Sequence, residues 1–310
     1  MKKKIEILSI IITLIFSSIL GWISIKFFGE YGWTIFIMIP LIIGFLPPFI
    51  VSRSKGVTRN KSYKLSFSVL GLACLGLLIF AIEGIICIIM ASPILVLLTL
   101  LGSYLGFATQ KIKPINSTNT TLFLIFGTIG FMSFDNINEP KSLIPITTKI
   151  TVNSDIEKVW KNVVTFNKID EPEDWIFKTG IAYPTDATIQ GLGVGAIRYC
   201  NFSTGSFIEP ITKWEEPNLL QFVVKEQPIP MNELNPFWDV HPPHLDGYFK
   251  SYEGQFRLVK IEENITVIEG TTWYQVDITP EIYWKFWSGF IIHKIHERVL
   301  NHIKKESEEK

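Results

Sequence analysis

The chain has 310 residues, 47% of them hydrophobic, and its formal charges cancel to zero. Residues 1–135 carry 11 Lys and Arg against 4 Asp and Glu, whereas residues 136–310 carry 18 against 25. Such a split marks two environments rather than one globule, and the acidic second part excludes nucleic acid as an expected partner, because phosphate repels a negative surface.

The first part reads as an all-α transmembrane bundle, residues 1–135. Ile7 to Ile25 and Gly32 to Val51 hold no charge, and Leu65 to Phe107 holds only Glu83. About 20 apolar residues cross the hydrocarbon core, and a soluble helix of that length would show a polar face. Four spans are expected, at about 5–27, 32–52, 65–82 and 85–108. Met1 to Lys4 precede an apolar run without a small-residue cleavage site, so the first span is expected to stay uncleaved. Basic residues lie before the first span (Lys2, Lys3, Lys4), between the second and third (Arg53 to Lys64) and after the fourth (Lys111, Lys113). Positive loops stay cytoplasmic, which puts the N-terminus inside.

Residues 118–134 are apolar but short, with a basic flank before and an acidic one after; a possible fifth, outward crossing is expected there. That would place the second part on the outer side of what the Ile-, Lys- and Asn-rich composition suggests is a bacterial plasma membrane. A transporter is disfavoured, since Glu83 is the one ionisable residue among the spans and sits at a hairpin tip.

Residues 136–146 read as a Pro-containing linker, and 147–308 as a second domain. Thr147 to Val152 alternates like a strand. Asn153 or Ser154 is expected to cap a helix from Asp155, with Ile156, Val159, Trp160 and Val163 on one face. Strands follow at 195–202, 206–214, 218–225, 249–261 and 266–276, with turns at Ser203-Thr204-Gly205 and Glu262-Glu263-Asn264. Pro280 opens a long helix reaching about Glu306. The Gly191-Leu192-Gly193-Val194-Gly195 run precedes a strand rather than a helix, so it lacks the helix N-terminus that phosphate binding uses.

This order of elements is α+β, a curled antiparallel sheet around one long C-terminal helix. The opening ITVNSDIEKVWKNV, then GLGVGAIRY, FIEPITKWEEPNLLQF, GQFRL, TTWYQVDITPEIYW and the terminal IIHKIHERVLNHIKKESEE together resemble the START-like helix-grip (SRPBCC) superfamily, near its polyketide cyclase/dehydrase-type members. With its helical bundle the chain resembles membrane-anchored bacterial versions. The resemblance implies the fold and a cavity between sheet and helix. It transfers no catalytic residue, because that superfamily spans carriers, receptors and enzymes.

Candidate pocket residues are the aromatics Trp160, Trp175, Phe202, Trp238, Trp273 and Trp287, with Phe207, Phe249 and Tyr274 beside them. Arg198 and Glu209 lie on the two arms of the 204–205 hairpin, within cross-strand reach. Glu269 shares a strand face with Thr271 and Trp273, and joins the two charges if that face points inward. His241 and His244 stand in a proline-stiffened loop, and 228–244 is expected to form a lid over the pocket. His293 and His296 share a helix face, but no spacing assembles a ligand set, so neither metal nor cofactor is expected. Cys74, Cys87 and Cys200 show no zinc or redox spacing.

The leading expectation is a membrane-anchored domain that binds a lipid or other hydrophobic small molecule, its partners being the bilayer and that ligand. An alternative is a cyclase- or dehydratase-like enzyme using Glu209, Glu269 or His244 as acid or base. A second is a protein-interaction module.

Overall fold

The computed structural model describes residues 2–28, 32–54, 56–111, 130 and 142–309. The chain divides into two compact units: Met1–Pro140 with Leu234–Val240 and Ile278–Glu281, and Lys141–Glu233 with His241–Asp277 and Ile282–Lys310.

The first unit is built from α1 (Lys2–Ile23), α2 (Ile39–Ser54), α3 (Arg59–Ile79) and α4 (Ile85–Ala108). Wider i→i+5 turns extend α1 over Ser24–Phe28 and precede α2 over Thr34–Met38. Among the described residues, four helices are long and apolar enough to cross a membrane. The third begins at Arg59, earlier than its apolar run, because the Thr58 side chain accepts a hydrogen bond from the Lys61 amide and caps a polar first turn. Backbones of α2 and α4 come together on glycine. A Cβ at Gly102 would lie 2.3 Å from the Leu41 carbonyl oxygen, and one at Gly44 2.3 Å from that of Thr99. Gly102 and Gly106 are four apart, the small-residue spacing that lets spanning helices approach. Pro48 lies inside α2 and has no amide hydrogen for the Gly44 carbonyl. Ser66 of α3 donates its hydroxyl to that carbonyl at 2.7 Å, supplying the missing donor. The expected fifth span, at 118–134, lies outside the described residues, as does most of the expected linker.

Segment 234–240 belongs to this helical unit. The Asn235 amide donates to the carbonyls of Leu78 and Glu83, and the Trp238 indole donates to that of Ile79 at 2.8 Å.

The second unit is a helix-grip domain. It comprises β1 (Ile144–Val152), α5 (Ile156–Val164), β2 (Pro184–Gln190), β3 (Ile197–Phe202), β4 (Gly205–Glu215), β5 (Leu219–Val223), β6 (Phe249–Glu262), β7 (Ile265–Val276) and α6 (Glu281–Glu308). The strands form one antiparallel sheet in the order β1-β7-β6-β5-β4-β3-β2. On β1, Ile144, Ile146, Thr148, Ile150 and Val152 alternate with exposed residues, so one face turns to α6. Asp155 itself caps α5, its carboxylate accepting from the Glu157 amide, rather than Asn153 or Ser154. Strand β2 carries no clear alternation: in PTDATIQ the buried residues are Pro184 and Ala187, three positions apart, and Ile189 is half-buried. It is an edge strand held by pairing to β3, which a single-segment pattern cannot show.

The long helix buries Trp284, Ser288, Ile292, Val299 and Ile303 along one stripe. Small Ser288 and Gly289 allow close packing there, the Gly289 Cβ position lying 3.6 Å from Ile146. Below the stripe, Trp160, Ile211, Leu220, Leu258, Ile268 and Leu300 form the dry end of the core. Burying a side chain of this size stabilises the fold by about 1.5–3 kcal/mol.

Candidate functional site

Between the concave sheet face and the middle of α6 the core opens into a cavity of about 110 Å³. Phe202, Phe207, Phe222, Phe249 and Phe256 line it from the sheet, and Ile292, Ile295 and Val299 from the helix. A dry cavity of about 150 Å³ holds one benzene ring, which sets the scale of what fits without rearrangement. One wall depends on a missing side chain. A Cβ on Gly254 would lie 2.5 Å from the Phe222 ring, so glycine there allows that ring to lie flat against β6.

Two polar poles interrupt the apolar wall. The first is Arg198 with Glu209. The β3–β4 hairpin turns in two residues, Ser203 and Thr204, and Gly205 has φ +142°, a conformation favouring glycine. This turn sets Arg198 directly opposite Glu209. Arg198 is 1% exposed and Glu209 5%. Arg198 Nη1 donates to Glu209 Oε2, and Nε donates to the Val164 carbonyl at 3.2 Å. The rings of Phe166, Phe222 and Phe256 surround the guanidinium at 5.6–5.7 Å, in the cation–π range. Nη2 has no partner among the described residues. Burial pushes the Glu209 carboxyl above its usual range, with Arg198 only partly restoring it. Burial opposes the Arg198 charge, but Glu209 and Cys200 together outweigh it and hold the guanidinium protonated. The Cys200 thiol, buried beside Glu209, is pushed up to about 12, so it is no nucleophile.

The second pole joins β1, β7 and α6. His296 Nε2 is 2.8 Å from Thr272 Oγ1, and its Nδ1 is 3.1 Å from Thr148 Oγ1. Thr148 Oγ1 is also 2.7 Å from Nδ1 of His293, which is exposed. Thr272 and His296 line the cavity. Burial, and then the neighbouring His293, lower the His296 pKa to about 4, so the ring is neutral near pH 7.

Of the residues singled out from sequence, Arg198, Phe202 and Glu209 line the cavity. The others do not. Trp160 is 2% exposed and packs edge-on against Trp214 in the core at 5.6 Å. Trp175 is 60% exposed, in a loop. Trp238 belongs to the helical unit with the rest of 234–240 and is not among the lining residues. His241 pairs with Asp246 within its own loop at 3.0 Å, and His244 is likewise off the cavity wall. Glu269 pairs with Lys149 on the convex sheet face at 2.6 Å, and Trp273 shares its parity. Trp287 packs against Phe286, 5.8 Å between ring centres, outside the lining. The parity of β7 decides this: Gly270, Thr272 and Tyr274 face the helix, not Glu269, Thr271 and Trp273. Thr148 and Thr272 were not foreseen. A threonine interrupting the Ile144, Ile146, Ile150 row was the available signal for the first.

No protein-family model matches the chain, and no curated protein matches it. Solved structures do. Norcoclaurine synthase from Thalictrum flavum is 15% identical, over 56% of this chain and 99% of its own, with a TM-score of 0.35. A protein from Nitrosospira multiformis is 17% identical, over 53% and 96%, TM-score 0.33. The Zhui aromatase/cyclase from Streptomyces sp. R1128 is 10% identical, over 54% and 94%, TM-score 0.34.

Proposed function

We propose that the helix-grip domain binds an apolar small molecule, about one aromatic ring in its buried part, in the cavity between sheet and α6, and that the helices hold it at a membrane. The observation that carries this is the cavity itself: five phenylalanines and five aliphatic side chains around a buried Arg198–Glu209 pair. A filled core would have no room there, whereas ligand sites combine an apolar wall with a few fixed polar groups. Arg198 Nη2, without an acceptor among the described residues, offers a hydrogen bond to an oxygen of the ligand. Basic loops on the inner side, with the basic flank before and the acidic flank after 118–134 in the sequence, support an outer location for the domain.

The test is solvent extraction of the purified full chain followed by mass spectrometry, set beside an Ile295→Trp variant that fills the cavity. The parent should yield an apolar compound in stoichiometric amount, and I295W at least tenfold less at an unchanged fold by circular dichroism. Equal extracts, differing in nothing but bulk lipid, would remove the binding reading.

A further inference from the structure

The polar pole at α6 has one exposed end and one end in the cavity. His293 meets solvent, Thr148 bridges both histidine Nδ1 atoms, and His296 passes through its Nε2 to Thr272 on the cavity wall. A hydroxyl between two imidazole nitrogens has one hydrogen to give. It therefore donates to one ring and accepts from the other, and each ring then holds its single proton on a defined nitrogen. The whole row has two self-consistent arrangements of hydrogens, related by reversing every bond. A purely structural histidine needs only its own two partners; it does not need a second histidine at the surface sharing one of them.

We propose that Thr272, His296, Thr148 and His293 form a proton relay between solvent and the cavity, and that the ligand therefore carries an exchangeable O–H, as a phenol or enol does. The ligand class rests on the binding reading above; the relay does not. In the outward direction the ligand O–H bond breaks and its proton goes to Thr272 Oγ1. The Thr272 hydrogen passes to His296 Nε2, and the His296 Nδ1 hydrogen to Thr148. The Thr148 hydrogen passes to His293 Nδ1, and the His293 Nε2 hydrogen leaves to water. Each residue ends with the number of protons it began with, both rings have changed tautomer, and the ligand oxygen keeps the electron pair. No ring has to hold a charge in the cavity wall, which suits a histidine whose burial disfavours the imidazolium. Arg198, Cys200, Glu209 and Glu253 share the lining with His296. Lys294 is occupied by Glu297 at 2.9 Å and Asp174 at 3.4 Å, and Lys149 by Glu269 on the opposite sheet face.

Nitrogen NMR of the full chain in detergent micelles, with ¹⁵N-labelled histidine, tests the relay without any ligand. Protonation of His293 forces its Nδ1 hydrogen onto Thr148, which must then donate to His296. His296 should therefore switch from the Nδ1–H to the Nε2–H form as His293 takes up its proton. Thr148→Val should abolish the switch and Thr148→Ser should restore it. A His296 tautomer that stays constant while His293 titrates overturns the relay. For the ligand class, phenol and toluene are titrated into the parent and into Thr272→Val. Phenol affinity should fall at least fivefold and toluene affinity stay level; equal losses, or no phenol binding to the parent, overturn the ligand class and leave the NMR result standing on its own. Loss of the extracted compound's dependence on Ile295, by contrast, strikes the binding reading and the ligand class with it, and leaves the relay to the NMR result.

Discussion

Arg198 sits at 1% exposure with a carboxylate opposite it and one nitrogen unpartnered, an arrangement that costs stability unless something uses it. Removing one member of such a pair leaves a buried charge. Arg198→Met should lower stability by about 3–5 kcal/mol, and adding Glu209→Met should recover most of the loss, as read by thermal unfolding of the purified full chain. No recovery in the double variant would show that the pair is worth more than its desolvation. His296 makes a pH prediction of defined sign. Its folded pKa of about 4 lies below the ordinary 6.5, so the unfolded chain takes up the proton first. The stabilisation from the neutral ring is complete above pH about 6.5, declines as pH falls, and is gone below about 4. His296→Gln should flatten the fall in unfolding temperature across that window; an unchanged slope would place the dependence on other groups.

Elements in this protein are joined where a side chain is absent or short. Gly44 and Gly102 allow α2 and α4 to meet at backbone distance, and the obstacle to any larger residue is a carbonyl oxygen at 2.3 Å, which cannot rotate away. Gly102→Val should therefore destabilise the helical unit by more than about 2 kcal/mol, seen as a lower unfolding temperature in detergent, whereas the same change at Gly71, which has open space around it, should do little. The helix-grip domain was largely legible at this scale: strand, helix, the later strands and the closing helix all carry periodicity, because each buries one face. Edge strand β2 was not legible, since its pairing to β3 rather than its own composition makes it a strand.

At the scale of the molecule, sidedness follows from charge. In the proposed orientation, with basic loops inside, Gly56 would lie in the cytoplasm and Phe80, at 76% exposure in the α3–α4 turn, outside. Leu192, 82% exposed in the helix-grip domain, should share the side of Phe80. Cysteines introduced singly at these three positions in a chain lacking its own should react with a membrane-impermeant maleimide on intact cells at Phe80 and Leu192 but not at Gly56. Labelling of Gly56 with protection of Leu192 would invert the orientation and the access of the cavity to outside ligands.

Sequence alone determined what local pattern and charge can encode: four apolar helices, their basic loops, an α+β domain after them, and Arg198 and Glu209 within cross-strand reach, opposite or diagonal, around the 203–205 turn. It determined those because helix length, period-two alternation and turn chemistry act over a few residues. Tertiary structure alone decided which candidates meet in one place. The parity of β7 sent Glu269 and Trp273 to the convex face, and the stripe of α6 carried Trp287 off the cavity wall. Thr148 and His296, 148 positions apart in sequence, meet only because β1 closes against the last helix. Long-range contacts of that kind depend on how strands are registered and how a helix is rotated, and one residue of slip in either reverses which side chains face the cavity.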